Sequence, residues 1–407
     1  MAEAVIVAAA RTPIGRAVKG SLRDVRPDDL AAGVIGAALD RLDGFDPIDL
    51  DDLYLGCAEP RDEHGGNLAR RVAVQLGLDT VPAATVNRFC ASSVQTARMA
   101  FHAIKAGEGQ AFVSAGVECV SRYRSFGSAG VDAPGSHHPG FAVAEERTAE
   151  TARTNERWHD PRADGELPDV YIAMGQTAEN VATVTGISRA EQDEFGVRSQ
   201  NLAERAIAEG VYAAEIAPVT LPDGRMVRVD DGPRAGTTLE AVSQLKPVFR
   251  PDGTITAGNC CPLNDGAAAV VIMSDGRAAE LGLTPLARIV ATGVSALSPE
   301  IMGLGPVAAS RRALEHAGMS VADLDLVEIN EAFAVQVIAS AHALGLDLDR
   351  LNVHGGAIAL GHPFGSTGAR IMTTLLNAMR LRDAQFGLET MCVGGGQGMA
   401  IILERLS

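Results

Sequence analysis

Cys90 stands where two segments of different periodicity meet, in the stretch VNRFCASSVQT. The preceding AATVN is typical of a strand, and the residues after it have helical spacing, with apolar side chains at Val94, Ala97, Phe101 and Ile104. The unpaired N–H groups and the dipole of a helix N-terminus favour the thiolate, which is the nucleophilic form of cysteine. A small cysteine that only packs in the core fits the same stretch, so a nucleophile here needs a base from elsewhere in the chain.

His362 is the candidate base. It lies in GHPFGSTGAR between Gly361 and Pro363, just ahead of a helical run. A histidine held at the start of a helix is suited to exchange protons with a substrate, although an ordinary loop histidine explains the same pattern. His354 is the other histidine outside helical runs and polar loops. The remaining histidines fall in such runs and loops: His64, His102, His137, His138, His159, His316 and His342.

A second thiol and an amide complete the set of candidates. Cys392 lies in CVGGGQG, a strand that runs into glycines, so this segment offers a thiol and backbone N–H donors for an oxyanion; a simple turn is the alternative. Asn330 and Glu331 lie in EINEAFA, at the end of a strand before a helix. The amide of Asn330 is suited to hold a water or polarise a carbonyl, and a helix N-cap is the alternative.

The elements that carry these residues form two similar series. In each, a strand and a helix lead to a second strand, LDDLYLGC in the first series and LDLVEINEAFA in the second. AFVSAGVE then corresponds to TMCVGGGQG, at an offset of roughly 270 to 280 residues. Strands that alternate with helices predict a mixed or parallel sheet covered by helices. The sequence therefore predicts two similar α/β halves.

Between the two series, from about 121 to 246, the pattern breaks. Residues 122–168 are rich in Gly, Ser, His, Pro and charge, which is typical of a long irregular binding loop or lid. Helical stretches follow, and one of them is opened by Ser188 with Glu191 three residues later, a capping box. We interpret this region as an inserted loop domain.

Composition and charge limit the possible partners. A chain of 407 residues with 46% apolar residues fills two or three lobes, and a net charge of -16 without any dense Lys/Arg run disfavours nucleic acid and anionic membranes. Its six cysteines include no Cys-x-x-Cys pair and no zinc spacing, so we expect free thiols and no metal. The first residues lack the features of a signal peptide, and no transmembrane run is present, so we expect a cytoplasmic protein.

Four segments together resemble the thiolase family, in the family's order. NRFCASS resembles its nucleophile motif, NEAF its asparagine motif, GHP its histidine motif and CVG its second-cysteine motif. The resemblance covers essentially the whole chain. It implies a duplicated thiolase fold with five αβαβα layers and an inserted loop domain that binds coenzyme A. The expected units are residues 1–120 with 247–278, the loop domain 121–246, and the second half 279–407.

The resemblance also implies a role for each candidate. Cys90 is the acylated nucleophile, and His362 activates it and helps to bind the thioester oxygen. Cys392 is the general acid and base at the substrate α-carbon, and Asn330 positions a water for a first oxyanion hole. The backbone N–H groups of Cys90 and Gly394 form the second.

The expected activity is that of a 3-ketoacyl-CoA thiolase, with coenzyme A as co-substrate and no permanently bound cofactor. Acetoacetyl-CoA thiolase activity is the nearest alternative, but Ala173 replaces the histidine that biosynthetic members typically carry before Met-Gly. A ketoacyl synthase and a non-catalytic lipid carrier or scaffold are more distant alternatives. Ketoacyl synthases usually pair the cysteine with two histidines or with His and Asn, and carriers usually lack one of the reactive residues, whereas this chain has all four. A homodimer or homotetramer is expected. The residues matching coenzyme A contacts are Arg234, Met174, Phe249, Cys261 and Phe333.

Overall fold

Strands and helices alternate through most of the chain, as the sequence predicts. A computed structural model describes residues 2–123 and 137–407. The strands are β1 (Ala4–Arg11), β2 (Gly15–Arg16), β3 (Asp52–Gly56), β4 (Ala83–Val86), β5 (Ala111–Cys119), β6 (Val219–Thr220), β7 (Met226–Val227), β8 (Asn264–Ser274), β9 (Ala287–Ala296), β10 (Leu326–Ile329), β11 (Phe386–Val393) and β12 (Gln397–Arg405). The helices are α1 (Pro27–Leu39), α2 (Leu68–Gln75), α3 (Ser92–Ala106), α4 (Ala142–Thr154), α5 (Met174–Thr185), α6 (Arg189–Ala208), α7 (Leu239–Ser243), α8 (Asp275–Glu280), α9 (Gly305–Ala317), α10 (Ala334–Leu344), α11 (Ala357–Leu360) and α12 (Thr367–Leu381).

The main strands form two half-sheets with the same mixture of directions. The order is β1-β8-β5-β3-β4 in the N-terminal half-sheet, with β2 beside β8, and β10-β11-β12-β9 in the C-terminal half-sheet. β3 runs parallel to β4 and β5, and β10 runs parallel to β11, while the remaining pairs in both half-sheets are antiparallel. Two residue pairs between β1 and β9, Val5 with Arg288 and Ile6 with Ala287, join the half-sheets. The predicted mixed α/β architecture is confirmed.

Three of the four apolar cores among the described residues lie between five layers, and the middle core contacts both half-sheets. α1 and α2 pack on the outer face of the N-terminal half-sheet, α3 and α12 lie between the half-sheets, and α9 and α10 cover the outer face of the other half-sheet. Side chains alternate between the two faces of each strand. In β1, Val5 and Val7 face the outer core, whereas Ala4 and Ile6 face the middle core. These strands are buried on both faces, which explains their nearly continuous apolar sequences.

The region between the halves is less irregular than the sequence suggests. Residues 142–154 form helix α4, although residues 122–168 were expected to be an irregular loop. The charged, Ala-rich sequence of α4 buries only Ala144, so its apolar periodicity is too weak to reveal a helix. The capping box of Ser188 and Glu191 is present at the start of α6. Part of the expected loop, residues 124–136, lies outside the described residues.

Residues 2–123 and 137–407 contain neither a membrane-spanning helix nor a cluster of metal-binding side chains. No helix in these ranges is long and apolar enough to cross a membrane. Within the same ranges, no group of three or more His, Cys, Asp or Glu side chains is arranged to hold a metal ion.

Candidate active site

Cys90 lies in the turn between β4 and α3, at the C-terminal edge of the N-terminal half-sheet. Phe89 has a φ of 45°, in the left-handed region, a conformation that costs about 1–3 kcal/mol in a non-glycine residue. Ser92 holds the turn, because its Oγ accepts from the Arg88 N–H at 2.9 Å and donates to the Phe89 carbonyl at 2.6 Å. The turn therefore fixes Cys90 just ahead of the helix, the position that the sequence predicts.

The surroundings of Cys90 favour the thiol and not the thiolate. The residue keeps partial solvent access, yet protein surrounds its sulfur, and this burial raises the pKa of the thiol to about 12. Hydrogen bonds from the backbone N–H groups of Gly394 and Cys90 to the sulfur oppose the rise, and the carboxylates of Glu118 and Glu59 add to it. The backbone N–H of Cys90 at the helix start lowers the pKa, as expected, but desolvation is the larger effect. Nucleophilic attack requires a base.

His362 is held by its backbone in a loop before α12. Its N–H donates to Oδ1 of Asn264 at 2.9 Å, and the Asn264 Nδ2 group donates to the Gly15 carbonyl at 3.0 Å. Gly361 has a φ of 116°, and a Cβ there would lie 2.5 Å from the Asn264 carboxamide, so glycine is required next to the histidine. Asn264 was not among the sequence candidates, because nothing local distinguishes it from other polar residues in a strand.

The hydrogen bonds of the imidazole fix its tautomer. Oγ1 of Thr367 lies 2.8 Å from the Pro363 carbonyl oxygen and 2.6 Å from Nδ1 of His362. A carbonyl oxygen only accepts, so the threonine hydroxyl donates to Pro363 and accepts from a protonated Nδ1. Nε2 of the neutral ring therefore carries the lone pair, which is the form that accepts a proton.

Burial keeps this histidine neutral. His362 is 1% exposed, and burial lowers its pKa to about 3, with a further lowering by the positive charge of Arg370. A neutral imidazole with a free Nε2 is a base, but the charge that it acquires on protonation has to be stabilised by the reacting groups themselves.

Asn330 donates to the unprotonated nitrogen of His362. Its Nδ2 group lies 3.3 Å from Nε2, and its backbone is fixed by the Thr390 carbonyl and by Gln336, whose Nε2 group donates to the Asn330 carbonyl at 2.6 Å. Oδ1 of Asn330 is buried and has no hydrogen-bond partner among the described residues. α10 begins at Ala334, so Asn330 is not an N-cap, and the Oδ1 of its amide remains for a substrate or a water.

The starts of the two central helices bring the histidine loop to the cysteine turn. The N–H of Ala369 in α12 donates to Oγ of Ser93 in α3 at 3.0 Å. A Cβ on Gly368 would lie 2.6 Å from the backbone nitrogen of Val94, so the helices touch through a glycine. The contact carries His362 to the same edge of the fold as Cys90.

Glu118 joins the loop after β3 to the loop that carries His362. Its carboxylate is fully buried and accepts from the backbone N–H groups of Ala58 and Gly365, both at 2.8 Å, and from the Tyr123 hydroxyl at 2.7 Å. Gly365 belongs to the loop of His362, whereas Glu118 ends β5 in the other half. No local pattern marks this residue, because its backbone partners are distant in the chain.

Three thiols lie close enough to influence one another. Cys392 is fully buried in β11, where burial raises the pKa of its thiol far above the ordinary value and a charge on Cys90 raises it further. Burial also raises the pKa of Cys261, with smaller contributions from Cys260, Cys90 and Cys392. The structure thus brings both predicted reactive cysteines, and Cys261 with them, to one place.

The residues predicted to contact coenzyme A fall into two groups. Met174 begins α5, and the ring of Phe249 covers Gly175 beside it, at 2.2 Å from a Cβ built there. Phe249 packs edge to face on Phe333 with ring centroids 6.3 Å apart. Cys260 pairs with Phe333, and Cys261 N–H donates to the Ala332 carbonyl, so these positions line one apolar strip.

Arg234 lies apart from that strip. Its side chain is exposed and makes no ion pair among the described residues, and its N–H donates to Gln200, which in turn donates to the Ile358 carbonyl of α11. Its segment thus lies against the helix that precedes His362. His354 is buried elsewhere: its carbonyl accepts from the Tyr212 hydroxyl, and its Nε2 has no partner among the described residues.

Comparison with known proteins gives matches along the whole chain. The family described as "Thiolase, N-terminal domain" matches residues 4–276, and "Thiolase, C-terminal domain" matches residues 283–405. The chain is 42% identical to a 3-ketoacyl-CoA thiolase of Bacillus subtilis, covering 99% of this chain and 100% of the relative. It is 44% identical to an acetyl-CoA acetyltransferase of Cupriavidus necator, covering 100% of both chains.

Solved structures agree with these matches. The crystal structure of the Bacillus anthracis acetyl-CoA acetyltransferase superimposes with a TM-score of 0.87 at 39% identity, covering 100% of this chain and 99% of the other. The human mitochondrial 3-ketoacyl-CoA thiolase superimposes with a TM-score of 0.84 at 36% identity, covering 99% of both chains.

Proposed function

This chain belongs to the thiolase family of acyltransferases, and we propose that it is a 3-ketoacyl-CoA thiolase (acetyl-CoA C-acyltransferase). It would cleave a 3-ketoacyl-CoA with coenzyme A to give acetyl-CoA and an acyl-CoA shortened by two carbons. The observation that carries the proposal is the neutral His362, held with its free Nε2 toward Asn330 on the loop that packs against the Cys90 turn.

The first step forms an acyl-enzyme on Cys90. His362 accepts the thiol proton at Nε2 as Cys90 Sγ attacks the 3-keto carbon, and the C2–C3 bond then breaks. The oxygen of the tetrahedral intermediate is stabilised by the backbone N–H groups of Cys90 and Gly394. Support for this comes from the effect of the same two N–H groups on the Cys90 thiol, since both lower its pKa. Such donors typically contribute about 3–4 kcal/mol each.

The second step needs a proton at carbon. The departing acetyl-CoA enolate takes it from Cys392, whose thiol is protonated at neutral pH because it is fully buried. The Cys392 thiolate then removes the proton of the incoming coenzyme A, which attacks acyl-Cys90. The shortened acyl-CoA is released as the proton held on His362 Nε2 returns to the departing Cys90 sulfur. Asn330 positions a water, and this water with His362 stabilises the thioester oxygen. The Oδ1 of Asn330, which has no partner in the described part of the chain, supports such a water site.

Coenzyme A binding is assigned to the loop domain, residues 121–246, inserted between the halves 1–120 with 247–278 and 279–407. The pantetheine arm would lie along the strip of Met174, Phe249, Phe333 and Cys261. Arg234 would bind a phosphate, a role supported by its exposed side chain, which makes no ion pair within residues 2–123 and 137–407, in a protein of net charge -16. Coenzyme A acts as co-substrate, and no bound cofactor takes part in the proposed steps.

The direction of the reaction is the finer part of the proposal. Ala173 stands at the position before Met-Gly where biosynthetic members carry histidine, which favours degradation, with a place in fatty acid β-oxidation. Acetoacetyl-CoA thiolase activity is the second candidate, because relatives of equal similarity are named acetyl-CoA acetyltransferases. A cytoplasmic location and a homodimer or homotetramer belong to the same proposal.

Thiolysis of 3-ketoacyl-CoAs of different length tests the function. The absorbance of the Mg²⁺-enolate is followed with coenzyme A present, first with acetoacetyl-CoA and then with longer substrates. Faster loss with longer substrates supports the degradative enzyme, and activity confined to acetoacetyl-CoA supports the second candidate. Inertness toward every chain length contradicts both and favours a non-catalytic carrier or scaffold.

A further inference from the structure

The two backbone donors proposed for the oxyanion at Cys90 come from opposite halves of the fold. One is the N–H of Cys90, in the turn before α3, and the other is the N–H of Gly394, in the turn between β11 and β12. A hydrogen bond weakens steeply with distance and angle, so both donors act on one oxygen only if the two turns are held in register. The link between the turns is therefore part of the catalytic geometry.

Packing alone does not hold Gly394. A Cβ on Gly396 would lie 2.2 Å from the Leu297 carbonyl, so that glycine is tightly enclosed. Around Gly394, the nearest atom to such a Cβ is a ring carbon of Phe89 at 3.4 Å, and around Gly395 it is another at 3.7 Å, which are ordinary contacts. A methyl group would fit beside each of the first two glycines of the turn, so they lack the close enclosure of Gly396.

Side chains supply the missing restraint. Gln397, which pairs with Val393 across the hairpin, donates from Nε2 to the Gly394 carbonyl at 3.3 Å. Its Oε1 accepts from Nη1 of Arg88 at 2.8 Å. Arg88 also donates from Nε to Oε1 of Gln95 in α3 at 3.0 Å. A continuous set of hydrogen bonds therefore runs from Gln95 in the first turn of α3, through the side chains of Arg88 and Gln397, to the Gly394 carbonyl.

We propose that Arg88 and Gln397 are positioning residues that hold the Gly394 oxyanion donor against the Cys90 turn. The inference rests on the proposed function and names two further residues that serve its acyl-transfer step. The charged guanidinium polarises the Gln397 amide through Oε1, which strengthens the donor end that bonds to Gly394. Arg88 also carries the N–H that binds Ser92, so its backbone and side chain fix both sides of the same turn.

The variant Gln397→Glu distinguishes the positioning role of Arg88 and Gln397 from a purely structural link between the two halves. The glutamate keeps an acceptor for Arg88 and strengthens that link between the halves, but it has no Nε2 donor and sets a carboxylate oxygen against the Gly394 carbonyl. Gln397→Met lacks the donor without adding charge. Gln385→Glu is the matched control, since Gln385 also donates to a carbonyl, that of Arg405, at the far exposed end of the same hairpin.

The proposal predicts that Gln397→Glu and Gln397→Met lower kcat about 10- to 100-fold with KM unchanged, because a displaced donor loses part of the 10²–10³ that an oxyanion donor supplies. In the acyl-enzyme made with carbonyl-labelled acetyl-CoA, the infrared stretch of the acetyl-Cys90 carbonyl moves to higher frequency, since it is less polarised. Gln385→Glu changes neither readout.

Wild-type kcat and an unshifted carbonyl stretch in either Gln397 variant overturn the positioning role. Thermal melting of each variant accompanies the kinetics. The infrared readout reports only on folded, acylated protein, so a loss of stability does not imitate the expected shift. If the wild-type protein is not acylated at all, the proposed function fails, which is a separate outcome from an acylated variant with an unchanged carbonyl.

Discussion

Replacing Thr367 with valine tests the tautomer of His362. The threonine hydroxyl accepts from Nδ1 at 2.6 Å and donates to the Pro363 carbonyl at 2.8 Å, in a fully buried position. Valine has the same shape but no acceptor. A proton left on Nδ1 would then be buried without a partner, so the ring is expected to carry it on Nε2 instead. Asn330 can accept it there after rotation of its amide, because its Oδ1 is unpartnered.

The size of the effect follows from these contacts. An unsatisfied buried donor costs about 1–3 kcal/mol, which is the penalty on the tautomer with Nε2 free. Each 1.4 kcal/mol is a factor of ten, so the fraction of enzyme that holds a competent base falls about 5- to 150-fold. We expect kcat to fall by that factor, with little change in KM, since Thr367 contacts no proposed coenzyme A position.

The assay is thiolysis of a 3-ketoacyl-CoA under saturating coenzyme A, with thermal melting of each variant. Thr367→Ser keeps the hydroxyl and is the matched control, with kcat close to that of the wild type. A folded Thr367→Val protein with wild-type kcat would show that Thr367 does not set the tautomer, and the role assigned to Nε2 would lose its basis.

Three more predictions concern neighbouring groups. Burial lowers the pKa of His64 to about 4. The unfolded chain therefore binds a proton near pH 6.5 that the native protein binds only near pH 4. The free energy of unfolding falls as the pH drops between these values, by up to about 1.4 kcal/mol per pH unit. Denaturant unfolding of His64→Gln at pH 5 and 7 should show a shallower fall, and an unchanged slope contradicts this. The Cys392→Ala variant should no longer exchange the acetyl-CoA methyl protons with D₂O, as followed by NMR. Exchange at the wild-type rate would show that Cys392 is not the acid and base at the α-carbon. Glu118→Gln places an amide against N–H donors and should cost about 1–3 kcal/mol in urea unfolding, and equal stability would contradict its role as acceptor.

The parts of the site that sequence predicts well are local. Cys90 lies before a helix whose apolar periodicity is readable, and the glycines after Cys392 mark a turn in any fold. The correspondence between LDDLYLGC in the first series and LDLVEINEAFA in the second likewise follows from a repeated local pattern. Each of these inferences needs only neighbouring residues, and the motif order then indicates the family.

The parts that sequence misses depend on distant contacts. Glu118 and Gly365 meet across the two halves, as do Arg88 and Gln397, and no local signal marks either pair. The state of Cys90 was also beyond local reasoning, because the opposing effects of helix start and burial are decided by how much protein surrounds the sulfur. Helix α4 was missed since it buries almost nothing.

The central claim is that Cys90 carries the acyl group. The direct test is mass spectrometry of the protein after incubation with acetyl-CoA, followed by peptide mapping, with Cys90→Ala alongside. We predict the gain of one acetyl group on the peptide that contains Cys90, and none in the variant. An unmodified wild-type protein, or an acetyl group on Cys261 or Cys392 with Cys90 free, would contradict the account.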